Sequence, residues 1–195
     1  MPQIIDGKAI SAQIKDEVKE RVAALAAQGK KVCLAVIQVG NDPASSVYVG
    51  NKKKACAYVG IESLAYELAE ETTQEELLDL IRELNAREDV NGILVQLPLP
   101  KQIDEDAVIR AIDPKKDVDG FHPQSVGALC IGQPGFVSCT PAGIIQLLKR
   151  SGIEISGKEC VVIGRSNIVG KPMALLLLRE NCSVTVYPSR TKGLK

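Results

Sequence analysis

The sequence predicts an α/β protein of two domains, each built around a parallel sheet. Short apolar runs of the kind found in buried strands alternate with amphipathic helical patterns along the whole chain. This order is typical of right-handed βαβ units in a doubly wound sheet. A turn-rich segment near residue 120 separates two sets of such units. With 45% hydrophobic residues among 195, the chain can fill a core in each domain.

The first half of the chain predicts three strands and four helices. Residues 8–27 place apolar side chains at helical spacing, and Gly29 predicts the end of that helix. Residues 32–40 are almost wholly apolar, which predicts a strand that is buried on both faces. The other predicted elements are a helix over 42–60, a strand over 61–68, a helix with a threonine cap over 72–85, a strand over 92–100 and a helix over 104–112.

The second half begins with turn residues. Residues 127–139 predict two extended arms around a turn at Pro134 and Gly135. Beyond them the chain predicts a helix over 139–152, a strand over 160–164, a helix over 169–181 and a strand over 183–187, the order of a Rossmann-like domain. We therefore expect a first domain over 1–122, a linker or hairpin over 123–139 and a dinucleotide-binding domain over 140–195.

Composition argues against several classes of protein. Lys and Arg together number 24, as do Asp and Glu, and no run of like charge marks a nucleic-acid or membrane surface. The N-terminus shows no leader pattern and the six cysteines are scattered, which predicts a cytoplasmic protein with reduced thiols in its core. His122 is the sole histidine of the sequence, so we expect no metal site and a small molecule as the partner.

A first candidate site combines a helix with the end of a strand. Tyr48 and Lys52 are four residues apart on a predicted helix and therefore project from one face, although plain surface pairs share this spacing. Gln96 lies at the carboxyl end of a predicted parallel strand, where open α/β sheets bind ligands. A rigid apolar ledge for a flat ring, or a plain exit from the strand, follows as Leu97, Pro98, Leu99 and Pro100.

The loop after residue 112 adds two carboxylates. Asp117 and Asp119 lie in a turn that Gly120 stiffens, and aspartates in turns are commonly structural. Asp119 is the better candidate for a ligand, because a carboxylate can accept paired hydrogen bonds from an amidine-like edge. His122 is expected to pack or to hydrogen-bond within the same loop.

A second candidate site is the turn between the strand over 160–164 and the helix over 169–181. Gly164 and Gly170 flank a turn that points backbone N–H groups and a helix dipole at a pyrophosphate. Ser166 stands where the G-x-G-x-x-G pattern has its second glycine, so the pattern alone is weak evidence.

The residues around this turn also indicate which dinucleotide binds. Ser189 and Arg190 follow the last predicted strand, where such domains contact the adenosine ribose, and an acidic residue is absent from that place. Together with Arg165 they suit a 2'-phosphate, because guanidinium groups match phosphate oxygens. The sequence therefore predicts NADP in preference to NAD.

Five segments together resemble one protein family. ASSVYVGNKKKAC, GILVQLPLP, KKDVDGFHP, CTPAGI and GRSNIVGKP are similar, in order and spacing, to segments of the bifunctional methylenetetrahydrofolate dehydrogenase/methenyltetrahydrofolate cyclohydrolases. The resemblance implies a folate cleft in the first domain and NADP in the second. It implies catalytic roles for Lys52, Tyr48, Gln96 and Asp119, with folate contacts from Tyr48, Asp119 and the ledge. It implies cofactor contacts from Gly164, Arg165, Ser166 and Gly170.

The resemblance further implies two reactions on one bound folate, with Lys52 as a proton relay, and a homodimer. These are NADP-dependent oxidation of 5,10-methylenetetrahydrofolate and hydrolysis of the methenyl product to 10-formyltetrahydrofolate. Family members usually continue past the position of Lys195, so we expect this chain to be C-terminally truncated; Pro188 replaces a common histidine. Two alternatives remain: a truncated folate-binding module without dehydrogenase activity, and a nicotinamide dehydrogenase for another substrate.

Overall fold

The computed structural model of the chain describes residues 4–193, and within them every side chain except that of Ala44. The described residues divide into two compact units. One unit spans Ser11–Val118, and the other contains residues 119–193 together with residues 4–10. No helix within residues 4–193 combines the length and the apolar character needed to cross a bilayer.

The first unit is a three-stranded parallel sheet with helices on both faces. Its elements are α1 (Gly7–Ala26), β1 (Cys33–Val39), α2 (Pro43–Val59), β2 (Glu62–Leu68), α3 (Gln74–Ala86), β3 (Gly92–Val95) and α4 (Glu105–Ala111). The strand order is β2-β1-β3, and both pairings are parallel. The predicted α/β class is therefore confirmed.

Alternation along the central strand gives each face of the sheet its own core. Ile37 of β1 packs with Leu77 and Ile81 of α3, and all three are fully buried. Val36 points to the opposite face and packs with Val49 of α2. Each buried aliphatic side chain contributes roughly 1.5–3 kcal/mol, so the helices on both sides hold β1 in place.

Local signals explain where the helices of this unit begin. Thr73 and Glu76 form a reciprocal capping box at the start of α3. At the start of α2 the side chain of Asp42 accepts a hydrogen bond from Ser45 N, and Pro43 occupies the first turn. Both starts were predicted from the sequence.

Strand β3 is shorter than predicted. We expected a strand over 92–100, but regular pairing ends at Val95. Pro98 and Pro100 lack the N–H group that a continued ladder needs, and the Leu97–Pro98 peptide bond is cis. Because Ile37 is in register with Val95, the residues that follow β1 and β3 emerge at the same edge of the sheet.

The second unit contains a two-stranded parallel sheet and three helices among its described residues. Its elements are α5 (Pro123–Cys130), α6 (Cys139–Arg150), β4 (Glu159–Ile163), α7 (Gly170–Arg179) and β5 (Ser183–Tyr187). Buried Val162 of β4 packs with Ile145 of α6 and with Met173 and Leu177 of α7. The strand–turn–helix–strand order predicted for residues 160–187 is confirmed.

The prediction of two extended arms over residues 127–139 is wrong. Residues 123–130 form α5, and the described residues 131–138 contain no strand. Pro123 fits the first helical turn, and His122 Nδ1 accepts a hydrogen bond from Gln124 N at 3.0 Å, which supplies a helix start that we had not recognised. The domain boundaries that we drew around this segment remain predictions.

The cysteines are only partly core residues. None of the six cysteines forms a disulfide; Cys33, Cys56 and Cys182 are buried, and burial raises the pKa of each of these three thiols. Cys130 and Cys139 are exposed, contrary to the expectation that the cysteines lie in the core. They flank the helix-to-helix segment that the sequence misassigned.

Candidate functional site

The carboxyl edge of the three-stranded sheet brings together two of the predicted site residues. Lys52, on α2, donates from Nζ to Gln96 Oε1 at 2.9 Å, and Gln96 follows β3 directly. Gln96 Nε2 donates to Leu97 O at 2.7 Å. Because the amide nitrogen is engaged with the backbone, the amide oxygen faces the lysine. An ammonium or amine is thus held at a fixed place beside the sheet.

Tyr48 lies one turn before Lys52 on the same helix. Its side chain is 64% exposed, and among the described residues its hydroxyl has no hydrogen-bond partner. Tyr48 and Lys52 make no hydrogen bond with each other, although the two side chains share a helix face as predicted. The Tyr48 hydroxyl stays open to a ligand.

The predicted apolar ledge borders a cavity at this edge. Pro98, Leu99 and Pro100 line a cavity of about 330 Å³ together with the turn that follows β1 and with Glu70. Leu99 N donates to Glu105 Oε1 at 3.3 Å, and Ile103 N donates to Pro100 O at 3.0 Å. These bonds fix the ledge to the start of α4, so that it can serve as a preformed wall.

The two aspartates of the loop differ in their surroundings. Asp117 is 2% exposed and forms a parallel bridge with Ile93, which gives it a place beside β3. Asp119 is half-buried and is the first residue of the second unit after the division at Val118. Asp117 is therefore part of the sheet edge, whereas the role of Asp119 in ligand binding stays a prediction.

The glycine turn of the second unit requires both of its glycines. Gly164 has a φ of +119°, a backbone conformation that side chains rarely adopt. A Cβ on Gly170 would lie 2.5 Å from Gly164 O, so the start of α7 approaches the end of β4 at contact distance. The strand end and the helix start are therefore in direct contact, as in the glycine turn of a dinucleotide-binding domain, and the residues present fit a dinucleotide.

Ser166 changes how this turn can bind an anion. Its Oγ accepts hydrogen bonds from Val169 N at 3.1 Å and Gly170 N at 3.2 Å, and Lys171 N donates to Ser166 O. Our expectation that the backbone N–H groups at the helix start point at a pyrophosphate is therefore wrong for these three residues. The hydroxyl hydrogen of Ser166 is left to donate outward, because both oxygen lone pairs are engaged.

The residues predicted to bind a 2'-phosphate follow the ends of two paired strands. Ile163 is in register with Tyr187, and Gly164 N donates to Tyr187 O at 2.9 Å. Arg165 comes next after β4, and Ser189 and Arg190 follow β5; all three are exposed. Lys171 was not identified from the sequence. It is an exposed cation on the first turn of α7, and its Nζ donates to Asn167 Oδ1 at 2.7 Å. A lysine one residue after Gly170 was the available signal.

Comparisons with known proteins match both halves of the chain. A model described as tetrahydrofolate dehydrogenase/cyclohydrolase, catalytic domain, matches residues 5–119, and its NAD(P)-binding domain matches 138–195. A bifunctional protein FolD of Lachnoclostridium phytofermentans is 75% identical over 194 residues, covering 100% of this chain and 69% of that protein.

Solved structures agree with this match. The bifunctional enzyme FolD-methylenetetrahydrofolate dehydrogenase/cyclohydrolase from Campylobacter jejuni has a TM-score of 0.96 and 52% identity, and the match covers 98% of this chain and 68% of that one. The Trypanosoma brucei methylenetetrahydrofolate dehydrogenase-cyclohydrolase, solved with NADP and an inhibitor, has a TM-score of 0.93 and 40% identity, over 98% of this chain and 67% of that one.

The Ser166 hydroxyl gives a prediction that separates helix capping from anion binding. Ser166→Asp keeps an acceptor for the two N–H groups but places a carboxylate next to the phosphates. We expect an unchanged free energy of unfolding in urea and an NADP affinity reduced roughly tenfold or more. Ser166→Ala, the matched control, should weaken NADP binding and should also lower the free energy of unfolding by about 1 kcal/mol. An aspartate variant that binds NADP as tightly as the parent in calorimetry would rule out the outward hydroxyl donor.

Proposed function

Because the chain belongs to the tetrahydrofolate dehydrogenase/cyclohydrolase family, we propose that it is a bifunctional, NADP-dependent folate enzyme. It oxidises 5,10-methylenetetrahydrofolate to 5,10-methenyltetrahydrofolate and hydrolyses that product to 10-formyltetrahydrofolate. The comparisons do not favour a folate-binding module without dehydrogenase activity, and membership of this family argues against a dehydrogenase for an unrelated substrate. Within the structure, the Lys52–Gln96 contact is the observation that best supports the chemistry.

The folate is held at the carboxyl edge of the three-stranded sheet. The ledge formed by Leu97, Pro98, Leu99 and Pro100 packs against the flat ring system. The exposed Tyr48 ring contributes apolar surface, and its open hydroxyl can donate to the substrate. Asp119 pairs with the amidine-like edge of the pterin, because a carboxylate there accepts two parallel hydrogen bonds.

Hydrolysis requires a proton to move next to a cationic carbon. Water adds its oxygen to the methenyl carbon and gives up a first proton, which leaves a neutral carbinol. The carbinol O–H then loses the second proton as the C=O bond forms, and the C–N bond that breaks returns its electron pair to nitrogen. The nitrogen takes up the first proton, and the second is released to solvent. Lys52 Nζ is the group that takes and returns the first proton. Gln96 Oε1, at 2.9 Å, fixes the position of Nζ, and its own amide nitrogen is fixed by Leu97 O.

The second unit binds NADP through the turn between β4 and α7. When bound, NADP accepts a hydride from the methylene carbon of the folate. Gly164 and Gly170 permit the close approach of β4 and α7 at the turn that holds the pyrophosphate, and the Ser166 hydroxyl donates to the pyrophosphate. The 2'-phosphate is held by Arg165, Ser189 and Arg190.

We also propose that the protein is a cytoplasmic homodimer. The homodimer, formed through the second unit, is implied by the family resemblance and can be tested by sedimentation equilibrium. Six cysteines without a disulfide among them are consistent with a reducing compartment. Fractionation of the source cells tests that location.

Replacing the proposed proton relay should separate hydrolysis from folate binding. Lys52→Met removes the amine, and we expect cyclohydrolase turnover to fall below detection while folate binding stays within about threefold, because the amine transfers a proton and does not anchor the ligand. Lys54→Met is the matched control, because Lys54 is an exposed lysine on the same helix, and it should behave as the parent. Cyclohydrolase turnover by Lys52→Met within a few-fold of the parent would remove this residue from the mechanism.

Arg190 should determine the choice of cofactor. Arg190→Ala is expected to weaken NADP binding roughly 10- to 100-fold, because hydrogen bonds to a charged phosphate contribute about 1.5–3 kcal/mol, and to leave NAD binding unchanged. Arg179→Ala, an exposed arginine at the end of α7, is the control. Titrations of both dinucleotides measure the effect, and a loss restricted to NAD is the result that contradicts it.

A further inference from the structure

Gln38 is a buried amide in the central strand of the first unit. It is 6% exposed and follows Ile37 and precedes Val39, which are both buried and apolar. Burying an amide without hydrogen bonds costs about 1–3 kcal/mol, so the side chain needs partners. Its Nε2 donates to Ser46 Oγ at 3.0 Å and to Gly40 O at 3.2 Å. The amide therefore connects β1 with the first turns of α2.

The helix that receives this hydrogen bond also holds Lys52. Ser46 and Lys52 are six residues apart on α2, which corresponds to about 9 Å along a helix axis. By the alternation of the strand, Gln38 lies on the same face of the sheet as Val36, the face on which Val49 of α2 packs. A change in the seat of the first turn of α2 is therefore transmitted to Lys52 through a continuous helix.

A cavity makes this connection important for the orientation of α2. A space of about 540 Å³ lies beside the helix. It is lined by Gln38 on β1, by Gly40 in the turn that follows, by the end of β2, and by Ser46, Val49, Gly50 and Lys53 on α2. Side chains do not fill the space between α2 and the end of β2, so apolar packing there does not resist a rotation of the helix about its axis.

Two polar links reach α2 from this side. Lys53 Nζ pairs with Glu67 Oε1 at 2.7 Å, but the two side chains are 39% and 70% exposed, and such pairs contribute little. The hydrogen bond from buried Gln38 to the exposed Ser46 is part-buried and directional, and it satisfies an amide that has been removed from water. On the opposite side, Lys52 Nζ reaches Gln96. A rotation of α2 into the cavity would lengthen that contact.

We infer that Gln38 is a positioning residue for Lys52: it holds α2 in the rotation at which Nζ reaches Gln96 Oε1. The inference rests on the proposed function of Lys52. Gln38 itself does not touch the reacting atoms. Its effect is exerted through Ser46 and the helix, so it should be felt in the hydrolysis step, where the place of the amine matters, and not in hydride transfer.

The first test removes the amide. Gln38→Leu should lower cyclohydrolase kcat roughly 10- to 100-fold, the loss expected when a reacting group is displaced by about 1 Å. Dehydrogenase kcat and the KM for folate should stay within about twofold. Gln102→Leu is the matched control, because Gln102 Nε2 also donates to two partners, here the backbone carbonyls of Glu70 and Thr72, neither of which is on α2. It should leave both activities as in the parent.

The second test addresses the hydroxyl partner. Ser46→Val should reproduce the selective loss of cyclohydrolase turnover. Ser46→Thr has the same bulk as the valine variant but keeps the hydroxyl, so its cyclohydrolase turnover should stay close to that of the parent. The double variant of Gln38→Leu and Ser46→Val should be no worse than either single variant, because both remove one interaction. A buried amide with a purely structural role would not give the difference between threonine and valine.

The outcomes are distinct. Gln38→Leu with parental cyclohydrolase turnover, or a parallel loss of both activities together with the free energy of unfolding, would overturn the positioning role. If the parent protein oxidises methylenetetrahydrofolate and hydrolyses methenyltetrahydrofolate but these variants do not differ from it, only the inference about Gln38 fails. If the parent hydrolyses no methenyltetrahydrofolate, the proposed function fails first.

Discussion

The hydrogen bond between Lys52 and Gln96 depends on the parallel pairing of β1 with β3. That pairing sets Ile37 opposite Val95, so Gln96 leaves its strand at the edge where the turn after β1 leads into α2. The helix then returns over the sheet with Lys52 facing the strand end. Burial of both faces of β1 keeps this arrangement rigid, because rotation of the strand would expose one of two apolar cores.

The cofactor turn follows a different constraint, which is the distance between two backbones. Gly170 must lack a side chain because Gly164 O occupies the place of a Cβ. Ser166 then satisfies the first donors of α7 with its hydroxyl oxygen, in the position where a glycine is usual. A hydroxyl here stabilises the helix start, and its hydrogen is the donor that we propose for a phosphate.

The sequence predicted the elements that depend on local periodicity and missed what depends on tertiary contacts. Helix α2, the presence of β3 and the glycine turn were all foreseen, since apolar spacing and glycine positions are local signals, but the end of β3 was not. Helix α5 was missed because the turn residues Pro134 and Gly135 outweighed the Pro123 start signal. The partner of Gln38 could not be foreseen, since an amide within a strand gives no indication of which helix will face it.

A double-mutant cycle on Lys52 and Gln96 tests most directly whether these two residues act as one unit. The cycle compares cyclohydrolase kcat/KM for the parent, Lys52→Ala, Gln96→Leu and the double variant. If Gln96 acts by holding the amine, the double variant should be no slower than Lys52→Ala alone, because the glutamine has nothing left to position. Losses that multiply, so that Gln96→Leu slows the enzyme by the same factor with and without the lysine, would contradict the account.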